Sequence, residues 1–384
     1  MSLPYEDENV RLVRQSVREF AEKEIAPYAE RIDRENTVPE EVIRKTAEMG
    51  YFAMRVPEEY GGPGLSLLEA VVTVEELARV SSAVGIMATV SGSMVAYPLA
   101  RYGSEEVKET YLRKLANGAI GAFALTEPCC GTDAGAVTTK AVKDGDEYVI
   151  SGQKMFITNA PYADFFIVAA RTGKPEERHR GVTLFVVDKG PCVKVSKLEM
   201  MGYRGSGTSL VYFDDCRVPE TRILGQIGRG FKEAMMTLNE GRITTAATGL
   251  GVMQAAFEEA FKYARERESM GVPIIEHQMV LSMISHMKTL LEASRLLIYT
   301  AAWKADQGHP DYILYSSMAK YFTAKYGTDL VRLAMQVLGG IGYSKESPVE
   351  RYYRDIKMIE IGDGTNEAQK LVITRFLLGK IRPE

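Results

Sequence analysis

The stretch Ile359-Glu360-Ile361-Gly362-Asp363-Gly364-Thr365-Asn366-Glu367 places one carboxylate in a glycine turn, just ahead of a helix predicted from Ala368 to Leu378. Gly362 and Gly364 carry no Cβ, so the backbone can pass close to a ligand. Thr365 has the side chain of an N-cap. A helix N-terminus favours the ionised form of a nearby acid by about 0.3–1 kcal/mol. These residues fit a general base beside a crevice, but an ordinary Asp-Gly turn explains them equally well.

Composition places the chain among ordinary globular proteins. Its 384 residues, 46% apolar and 26% charged, predict two or three domains. The net charge of −4 offers no basic surface for nucleic acid. The four cysteines form no C-x-x-C pair and there are only four histidines, so no Cys/His zinc site is expected. Without a signal-like segment, the cysteines predict free thiols in a reducing cytoplasm. They are Cys129, Cys130, Cys192 and Cys216.

One uncharged segment, from Val80 to Ala100, is long enough to span a bilayer. It is interrupted by serines, threonines, two glycines and Pro98. We therefore predict no membrane span, but a buried pair of helices broken near Gly92 that lines a pocket.

The first 120 residues have the pattern of a helical domain. Val10, Val13, Val17 and Phe20 recur at helical spacing within a helix predicted over residues 6 to 35. Further helices are predicted from a capping box at Thr37-Val38-Pro39-Glu40 to Gly50, over Leu67–Val80 and over Glu105–Asn117.

Residues 121 to 225 have the pattern of a β domain. Short apolar or alternating runs are separated by turns such as Asp144-Gly145-Asp146, which predicts strands in a barrel or sandwich. The runs are Ile120–Thr126, Ala141–Val142, Tyr148–Ile150, Phe165–Ala170, Thr183–Val187 and Ser209–Phe213.

Residues 226 to 384 return to long helices without proline, which predicts a four-helix bundle. The fold class predicted for the whole chain is α+β, with a helical domain, a central β domain and a helical bundle in that order. The predicted helices of the bundle are Phe231–Glu268, Gln278–Gln307, Tyr312–Leu338 and Ala368–Leu378.

Two segments of the predicted β domain combine hydroxyl and aromatic side chains. Phe123-Ala-Leu-Thr-Glu-Pro-Cys-Cys-Gly-Thr-Asp133 leaves a strand and enters a loop in which Thr126 and Thr132 can hydrogen-bond a ligand. Lys154-Met-Phe-Ile-Thr-Asn159 ends another strand with an aromatic residue and a hydroxyl. A capped hairpin and a strand end explain each segment without a ligand. The adjacent cysteines are interpreted as packing residues, because a bridge between neighbours strains the backbone.

Three motifs belong to the helical bundle. Asn239-Glu-Gly-Arg242 offers an arginine that can clamp an anion or form a surface ion pair with Glu240. Gln336-Val-Leu-Gly-Gly-Ile-Gly-Tyr343 has more glycines than one C-cap needs. The cluster Gly225-x-x-Gly228-x-Gly230 lacks dinucleotide-binding spacing and is interpreted as a flexible link.

Together and in this order, these segments resemble the FAD-dependent acyl-CoA dehydrogenases over nearly the whole chain. The most specific segments are Phe123–Asp133, Lys154–Asn159, Arg265-Glu-Arg267 with Gly271 and Gln278, Gln336–Gly342 and the turn around Asp363. The resemblance implies a helical, β and four-helix domain order, and bound FAD. It implies removal of the α-proton of an acyl-CoA and of the β-hydrogen as hydride. The product is a trans-2-enoyl-CoA, and electrons pass to an electron-transferring flavoprotein.

The resemblance also assigns roles to individual residues. Asp363 matches the catalytic base, and Gly364 adjoins the substrate thioester. The position of Thr132 suggests contacts with both FAD and CoA, and Asn239 and Arg242 match the segment that binds CoA. The residues implied to line the flavin are Phe123, Leu125, Thr126, Gly131, Thr132, Phe156, Ile157 and Thr158. Arg267, Gln278, Gln336, Gly339 and Gly340 are implied to reach a neighbouring subunit's FAD, which requires at least a dimer and suggests a homotetramer, and Thr365, Asn366 and Glu367 to close over the cofactor.

Two departures from the family pattern concern the base. Most members have glutamate at the position of Asp363, and many have tyrosine at the position of Gly362. Some members place the base just before the arginine that matches Arg242, but that residue is Gly241 here. Glu240 lies one position earlier, about 100° away around a helix, and is therefore a poor substitute.

The shorter acid leaves two alternatives to a dehydrogenase. One is an enoyl-CoA reductase of the same fold. The other is a catalytically impaired homologue that binds FAD and acyl-CoA. Acyl chain length, branching and the electron acceptor do not follow from the sequence.

Overall fold

The computed structural model describes residues 7–381. The residues Tyr5 and Glu6 near the start of the chain therefore lie outside the described residues. Helices precede and follow a central sheet, in the α+β order that the sequence predicts. The described helices before the sheet are α1 Glu8–Phe20, α2 Ala29–Glu35, α3 Glu40–Glu48, α4 Leu67–Val80, α5 Ser82–Thr89, α6 Ala96–Tyr102, α7 Glu105–Val107 and α8 Arg113–Ala116.

The predicted single helix over residues 6 to 35 is interrupted. A π-helical turn at Ala21–Ile25 and a 3-10 turn at Ala26–Tyr28 separate α1 from α2, because Pro27 has no N–H to continue the helix. The capping box predicted at Thr37 is also wrong. Pro39 is the N-cap of α3 and no side chain caps it, while the Thr37 hydroxyl lies 3.1 Å from the Tyr162 hydroxyl.

The uncharged segment forms helical structure without the break predicted near Gly92. A π-helical stretch, Val90–Val95, joins α5 to α6. Ser82–Tyr102 is long and apolar enough to cross a membrane, but 89% of its apolar window is buried inside the protein, as in a core helix. A Cβ on Gly92 would lie 2.7 Å from the Tyr51 carbonyl oxygen, so the glycine permits close packing.

The central strands form one mixed sheet in the order β6-β7-β3-β2-β4-β5-β8, with β1 parallel to β4. Among the described residues β6 and β8 do not pair with each other, so the sheet is open and the predicted barrel alternative is not observed. β6 was not predicted, although Val193 and Val195 alternate with Lys194 and Ser196. The strands are β1 Gly121–Ala124, β2 Lys140–Asp144, β3 Glu147–Ile157, β4 Phe165–Arg171, β5 Val182–Asp188, β6 Val193–Lys197, β7 Ser209–Pro219 and β8 Ile223–Leu224.

The structure corrects two predictions about small residues. It pairs Cys129 with Cys130 and Cys192 with Cys216 as disulfides, and the described chain has no free cysteine. The second pair arises because the residue preceding β6 lies beside β7, as the 2.9 Å bond from the Asp214 N–H to the Cys192 carbonyl shows. The 225–230 glycine cluster is not a loose link. A Cβ on Gly230 would lie 2.5 Å from a backbone nitrogen of β5.

Three long helices and three shorter ones build the C-terminal part. α4 of the N-terminal part packs against α9 and shares its core. α13 was not predicted from the sequence, although its buried residues Val349, Ile356 and Ile359 lie at helical spacing. The remaining elements are α9 Gly230–Glu266, β9 Glu268–Ser269, β10 Val272–Pro273, α10 Gln278–Asp306, α11 Tyr312–Leu338, α12 Gly340–Tyr343, α13 Val349–Ile359 and α14 Asn366–Leu377.

One buried carboxylate on α13 joins all three parts of the chain. Asp355 accepts hydrogen bonds from the Ser82 hydroxyl and from the Tyr203 backbone N–H, both at 2.7 Å. Ser82 begins α5, and Tyr203 lies in the segment between β6 and β7. These contacts bring the N-terminal helices, the sheet and α13 together close to the turn that carries Asp363.

Candidate active site

Asp363 lies in the turn between α13 and α14. Its backbone is left-handed, with φ of 51°, and Gly364 follows with φ of 93°. Thr365 is the N-cap of α14, because its hydroxyl accepts from the Ala368 N–H over 3.2 Å. The predicted cap is therefore confirmed, and α14 begins two residues earlier than predicted.

Gly362 meets a different constraint from its neighbour. It has no left-handed φ, so backbone angle is not the reason for glycine there. A Cβ at this position would lie 2.5 Å from the Met358 sulfur. The absence of a side chain therefore leaves Met358 the space it occupies beside the turn.

The Asp363 side chain faces donors and cations from two long helices. On α9, the Thr245 hydroxyl donates to Oδ2, and Arg242 is near enough to influence the carboxyl electrostatically. On α11, Lys320 also lies near enough to influence the carboxyl electrostatically. Burial raises the pKa of Asp363 above its ordinary value, while the Thr245 hydroxyl and the two cations oppose this rise. The carboxyl is desolvated, although the residue as a whole is partly exposed.

Lys320 is a site residue that the sequence reasoning missed. It is fully buried and its Nζ donates to the Gly364 carbonyl. Burial lowers its pKa to about 8, Asp363 opposes this, and Arg242 adds to it. The Gln369 amide supports the same turn by donating to the Gly364 carbonyl over 3.0 Å. A signal was present, because Lys320 lies at helical spacing on the buried face of α11, where an unpaired lysine is rare.

Asn239 and Arg242 lie together on α9 and are both buried. Arg242 Nη1 donates to Asn239 Oδ1 over 2.7 Å, and the Ser316 hydroxyl donates to the Asn239 carbonyl over 2.6 Å. Arg242 Nε is buried and has no hydrogen-bond partner among residues 7–381. The alternative of a surface ion pair between Arg242 and Glu240 is therefore wrong.

Glu240 points to another partner. It forms an ion pair with Arg55 at 3.3 Å, and burial raises its pKa although Arg55 opposes this. Gly241, next along α9, packs on the π-helical stretch, since a Cβ there would lie 3.0 Å from Met94 Cγ. The apolar segment thus borders the helix that carries Arg242, and its role as a pocket wall stays a prediction.

The two hydroxyl–aromatic segments of the sheet lie side by side. The Met155 N–H donates to the Thr126 carbonyl over 2.8 Å, which joins the end of β3 to the loop after β1. Phe156 has a left-handed φ of 60° and a side chain that is 51% exposed. Ile157 is buried and Thr158 partly buried, so the aromatic ring and one hydroxyl are left at the surface.

The loop after β1 opens from a buried strand. Phe123 and Leu125 are buried in the core, Thr126 is half-buried, and Gly131 and Thr132 are exposed. A Cβ on Gly131 would meet nothing within 4 Å.

Behind this loop lies a buried ion pair that the sequence reasoning did not identify. Lys154 Nζ lies 2.8 Å from Glu127 Oε1 and also donates to the Leu125 carbonyl. Glu127 further accepts from the backbone N–H groups of Thr138 and Thr139.

The remaining predicted residues form two groups. In the first group, Asn366 is buried with its Oδ1 unpaired among the described residues, whereas Glu367 is exposed.

The second group is exposed throughout and comprises Arg267, Gln278, Gln336, Gly339 and Gly340. In the described chain, no side-chain hydrogen bond connects this group to the loop after β1. A Cβ at either of its two glycines would meet nothing within 4 Å.

Comparison with known families covers almost every described residue. The models for the acyl-CoA dehydrogenase N-terminal, middle and C-terminal domains match residues 7–119, 122–216 and 228–378. The chain belongs to the acyl-CoA dehydrogenase family. These enzymes are FAD-dependent oxidoreductases, so the predicted family, enzyme class and cofactor are confirmed.

Two curated relatives have different activities in their names. A probable acyl-CoA dehydrogenase of Bacillus subtilis is 40% identical over 96% of this chain and 97% of its own length. A 3-(aryl)acrylate reductase of Clostridium sporogenes is 42% identical over 96% of this chain and 98% of its own. Further relatives are named acyl-CoA dehydrogenases, so a reductase is not favoured.

Solved structures agree closely in fold. Butyryl-CoA dehydrogenase from Megasphaera elsdenii has a TM-score of 0.95, with 36% identity, 98% of this chain covered and 100% of that chain. A structure described as the electron transferring flavoprotein of Acidaminococcus fermentans has a TM-score of 0.95, 39% identity and the same coverage. PigA with FAD and proline has a TM-score of 0.93, 28% identity and coverage of 99% and 100%.

The residues of this chain fit FAD. An exposed aromatic ring at Phe156 offers a face to a flat ring system, and Thr126 and Thr158 offer hydroxyl groups beside it. Open space around Gly131 admits a ligand without a clash. Buried polar atoms without partners near the turn, on Asn366 and Arg242, are suited to ligand contacts, because such atoms otherwise cost stability.

Proposed function

We propose that this enzyme removes the α-proton and the β-hydrogen of an acyl-CoA thioester, giving a trans-2-enoyl-CoA. The observation that carries the proposal is the desolvated carboxyl of Asp363, a partly exposed residue in a glycine turn, with Arg242 and Lys320 nearby. A raised pKa brings an acid closer to the working pH of a general base.

Asp363 takes the α-proton and becomes a carboxylic acid. FAD, when bound, would supply the acceptor for the β-hydrogen and its electron pair, and the carbon–carbon double bond would form between Cα and Cβ. The developing negative charge on the thioester oxygen needs hydrogen-bond donors at that moment. Gly364 leaves space for the thioester beside the base, and the cationic side chains of Arg242 and Lys320 favour negative charge in this region.

We propose that the remaining predicted residues surround the two ligands. Asn239, Arg242 and Thr132 hold the CoA part, and Thr365, Asn366 and Glu367 close over FAD. Phe123, Leu125, Thr126, Gly131, Thr132, Phe156, Ile157 and Thr158 line the flavin. The exposed set Arg267, Gln278, Gln336, Gly339 and Gly340 meets the FAD of a neighbouring subunit.

A homotetramer built as a pair of dimers follows from this second set, since closed symmetric assemblies are the common outcome. Exposed apolar side chains support it: Met270, on the β9–β10 turn, is 94% exposed, and Met279, at the start of α10, is 77% exposed. Light scattering is expected to show a tetramer with one FAD per chain. A monomer that retains FAD would contradict the shared site.

The electron acceptor, the cellular location and the domain boundaries belong to the same proposal. An electron-transferring flavoprotein reoxidises the flavin, supported by the 39% identical structure described above. The bacterial relatives support a cytoplasmic location. The chain divides at residues 120 and 225 into its helical, β and four-helix parts.

The test is an anaerobic screen of straight, branched and cyclic acyl-CoAs for bleaching of the flavin absorption band. Bleaching by at least one acyl-CoA, with the enoyl-CoA as product, is expected. Reoxidation of reduced enzyme by an enoyl-CoA without forward bleaching would point to a reductase instead. A protein that takes up FAD and binds acyl-CoA without either response would point to a catalytically impaired homologue.

A further inference from the structure

Three threonines of α9 lie close together in sequence but make different hydrogen bonds. The Thr244 hydroxyl donates to the Gly241 carbonyl over 3.1 Å, and the Thr248 hydroxyl donates to the Thr245 carbonyl over 2.7 Å. Both therefore donate within their own helix, as buried threonines commonly do, and the Thr248 hydroxyl also lies 3.0 Å from the Tyr203 hydroxyl. Of the three, only Thr245 bonds to Asp363, because its hydroxyl donates to Oδ2.

Thr245 holds this hydroxyl in a defined place. Its residue is fully buried, and a β-branched side chain on a helix has few χ1 states. No hydrogen bond reaches Oδ1 of Asp363 from the part of the chain that the structure describes. One carboxylate oxygen is thus fixed by the protein while the other is free to take a proton.

The contact has a particular consequence for an aspartate. Aspartate has one methylene fewer than glutamate, so its carboxyl has less freedom to adjust toward a substrate. The reach of Asp363 depends on its backbone, which the Gly364 carbonyl bonds from Lys320 and Gln369 restrain, and on its side-chain rotation. Thr245 is the described hydrogen-bond donor to that carboxylate.

We propose that Thr245 is a positioning residue, whose hydroxyl holds Oδ2 of Asp363 so that Oδ1 faces the α-carbon of the substrate. This inference rests on the proposed function, in which Asp363 is the base. Thr245 was not among the site residues that the sequence motifs identified.

The donated bond also favours the ionised carboxylate. The charged and titratable groups that face Asp363 are Lys320 from α11, Arg242 from α9 and the Tyr203 hydroxyl from the segment before β7. A Thr245→Val substitution leaves all three in place. Loss of the hydroxyl therefore raises the pKa of Asp363 further, and activity that needs the carboxylate then begins at a higher pH.

The experiment uses FAD-loaded enzyme and anaerobic stopped-flow reduction with butyryl-CoA and isobutyryl-CoA as probes. Thr245→Val is expected to slow flavin reduction about 10- to 100-fold, since ~1 Å of misplacement costs about 100-fold. The half-saturating acyl-CoA concentration is expected to stay near that of the parent. The acidic limb of the pH profile is expected to move to higher pH, and Thr245→Ser is expected to restore both rate and profile.

Thr244→Val is the matched control, because it removes a neighbouring buried hydroxyl that does not touch Asp363. A second readout does not depend on turnover. The folded protein holds the Asp363 proton more tightly than the unfolded chain, so this group lowers stability as pH rises through its folded pKa. The difference in Tm between the parent and Thr245→Val is therefore expected to grow with pH in that range, and no such growth is expected for Thr244→Val.

The possible outcomes separate the two proposals. If Thr245→Val reduces flavin at the parent rate with an unchanged pH limb, the positioning role is wrong and the base assignment stands. Equal losses in both valine variants indicate a packing effect and also overturn the role. If Asp363→Ala reduces flavin at the parent rate, the proposed base is wrong, and the Thr245 role is overturned with it.

Discussion

Two buried lysines, Lys154 and Lys320, each lie near a carboxylate, and burial lowers the pKa of both to about 8. Their carboxylates behave in opposite ways. Glu127 has Lys154 at 2.8 Å together with donors from Thr138 and Thr139. Burial alone would raise the pKa of Glu127, but these partners outweigh it and lower the pKa to about 2.

Asp363 is less completely bonded. Lys320 donates to the neighbouring Gly364 carbonyl rather than to the carboxylate, and a single hydroxyl reaches Oδ2. Burial therefore prevails and the pKa of Asp363 rises. A fully bonded carboxylate stays ionised and supports the loop, whereas an incompletely bonded one can accept a proton. The number and direction of donors, rather than burial, separates a structural acid from a base.

The strongest way to break this contrast is to remove the base. Asp363→Ala is expected to lower the rate of anaerobic flavin reduction by about 10²–10⁴-fold, the range of general-base catalysis, with FAD content unchanged. Asp363→Glu is expected to keep or increase the rate. Glu240→Gln is the comparison variant, because Glu240 faces Arg55. Parent-like reduction by Asp363→Ala together with loss in Glu240→Gln would assign the base to Glu240.

The ion pair between Lys154 and Glu127 is tested by thermal unfolding of FAD-loaded protein. Glu127→Gln leaves Lys154 buried without its counter-charge, which is expected to cost about 3–5 kcal/mol. Glu220→Gln is the matched control. It breaks an exposed pair with Lys143 at 2.9 Å, worth about 0–1 kcal/mol. Similar losses in the two variants would show that Glu127 is no more structural than a surface acid.

Lys320→Met tests the cation beside the base. Lys320 opposes the rise in the pKa of Asp363, so its loss is expected to shift the acidic limb of flavin reduction to higher pH. On that limb the rate is expected to fall about tenfold for each unit by which the pKa of Asp363 rises, because one pKa unit is tenfold in the ionised fraction. An unchanged acidic limb would show that Lys320 does not influence the pKa of Asp363.

The same variant changes stability at alkaline pH. Between about pH 8 and the ordinary lysine pKa of about 10.4, the unfolded chain binds more protons than the folded protein at this group. Stability therefore rises with pH in this window. Lys320→Met is expected to lose the part of this rise in Tm that comes from Lys320, and to keep the part that comes from Lys154.

The smallest expected effect concerns the width of the acyl site. Gly362→Tyr is expected to lower turnover of branched or cyclic acyl-CoAs a few-fold more than that of butyryl-CoA, because the new side chain fills space and displaces Met358. Gly362→Ala, with only a Cβ, is the graded comparison. Equal losses on straight and branched substrates would show that Gly362 does not shape the acyl site.

The elements that the sequence predicted best have strong local patterns. α4 and α11 have the predicted bounds exactly, because their apolar periodicity is long and uninterrupted. The sequence did not reveal how the central strands connect, since pairing across distant residues decides whether a sheet closes. α13 was missed although its buried residues lie at helical spacing, and its place depends on packing against α9 and α11.

The site shows the same division. The Thr365 cap follows from local turn chemistry, whereas the role expected for Asp363 came from the family resemblance. Lys320, Thr245 and the Lys154–Glu127 pair could not be found that way, because each acts through a partner far away in sequence. Thr245 meets a residue 118 positions later, and no spacing rule predicts such a contact.

The Asp355 carboxylate bears on how the molecule moves. Hinge opening between the helical part and the sheet would break its bonds from Ser82 and Tyr203, so these bonds oppose such opening. Because one carboxylate couples the three parts of the chain, we expect a single calorimetric transition on unfolding.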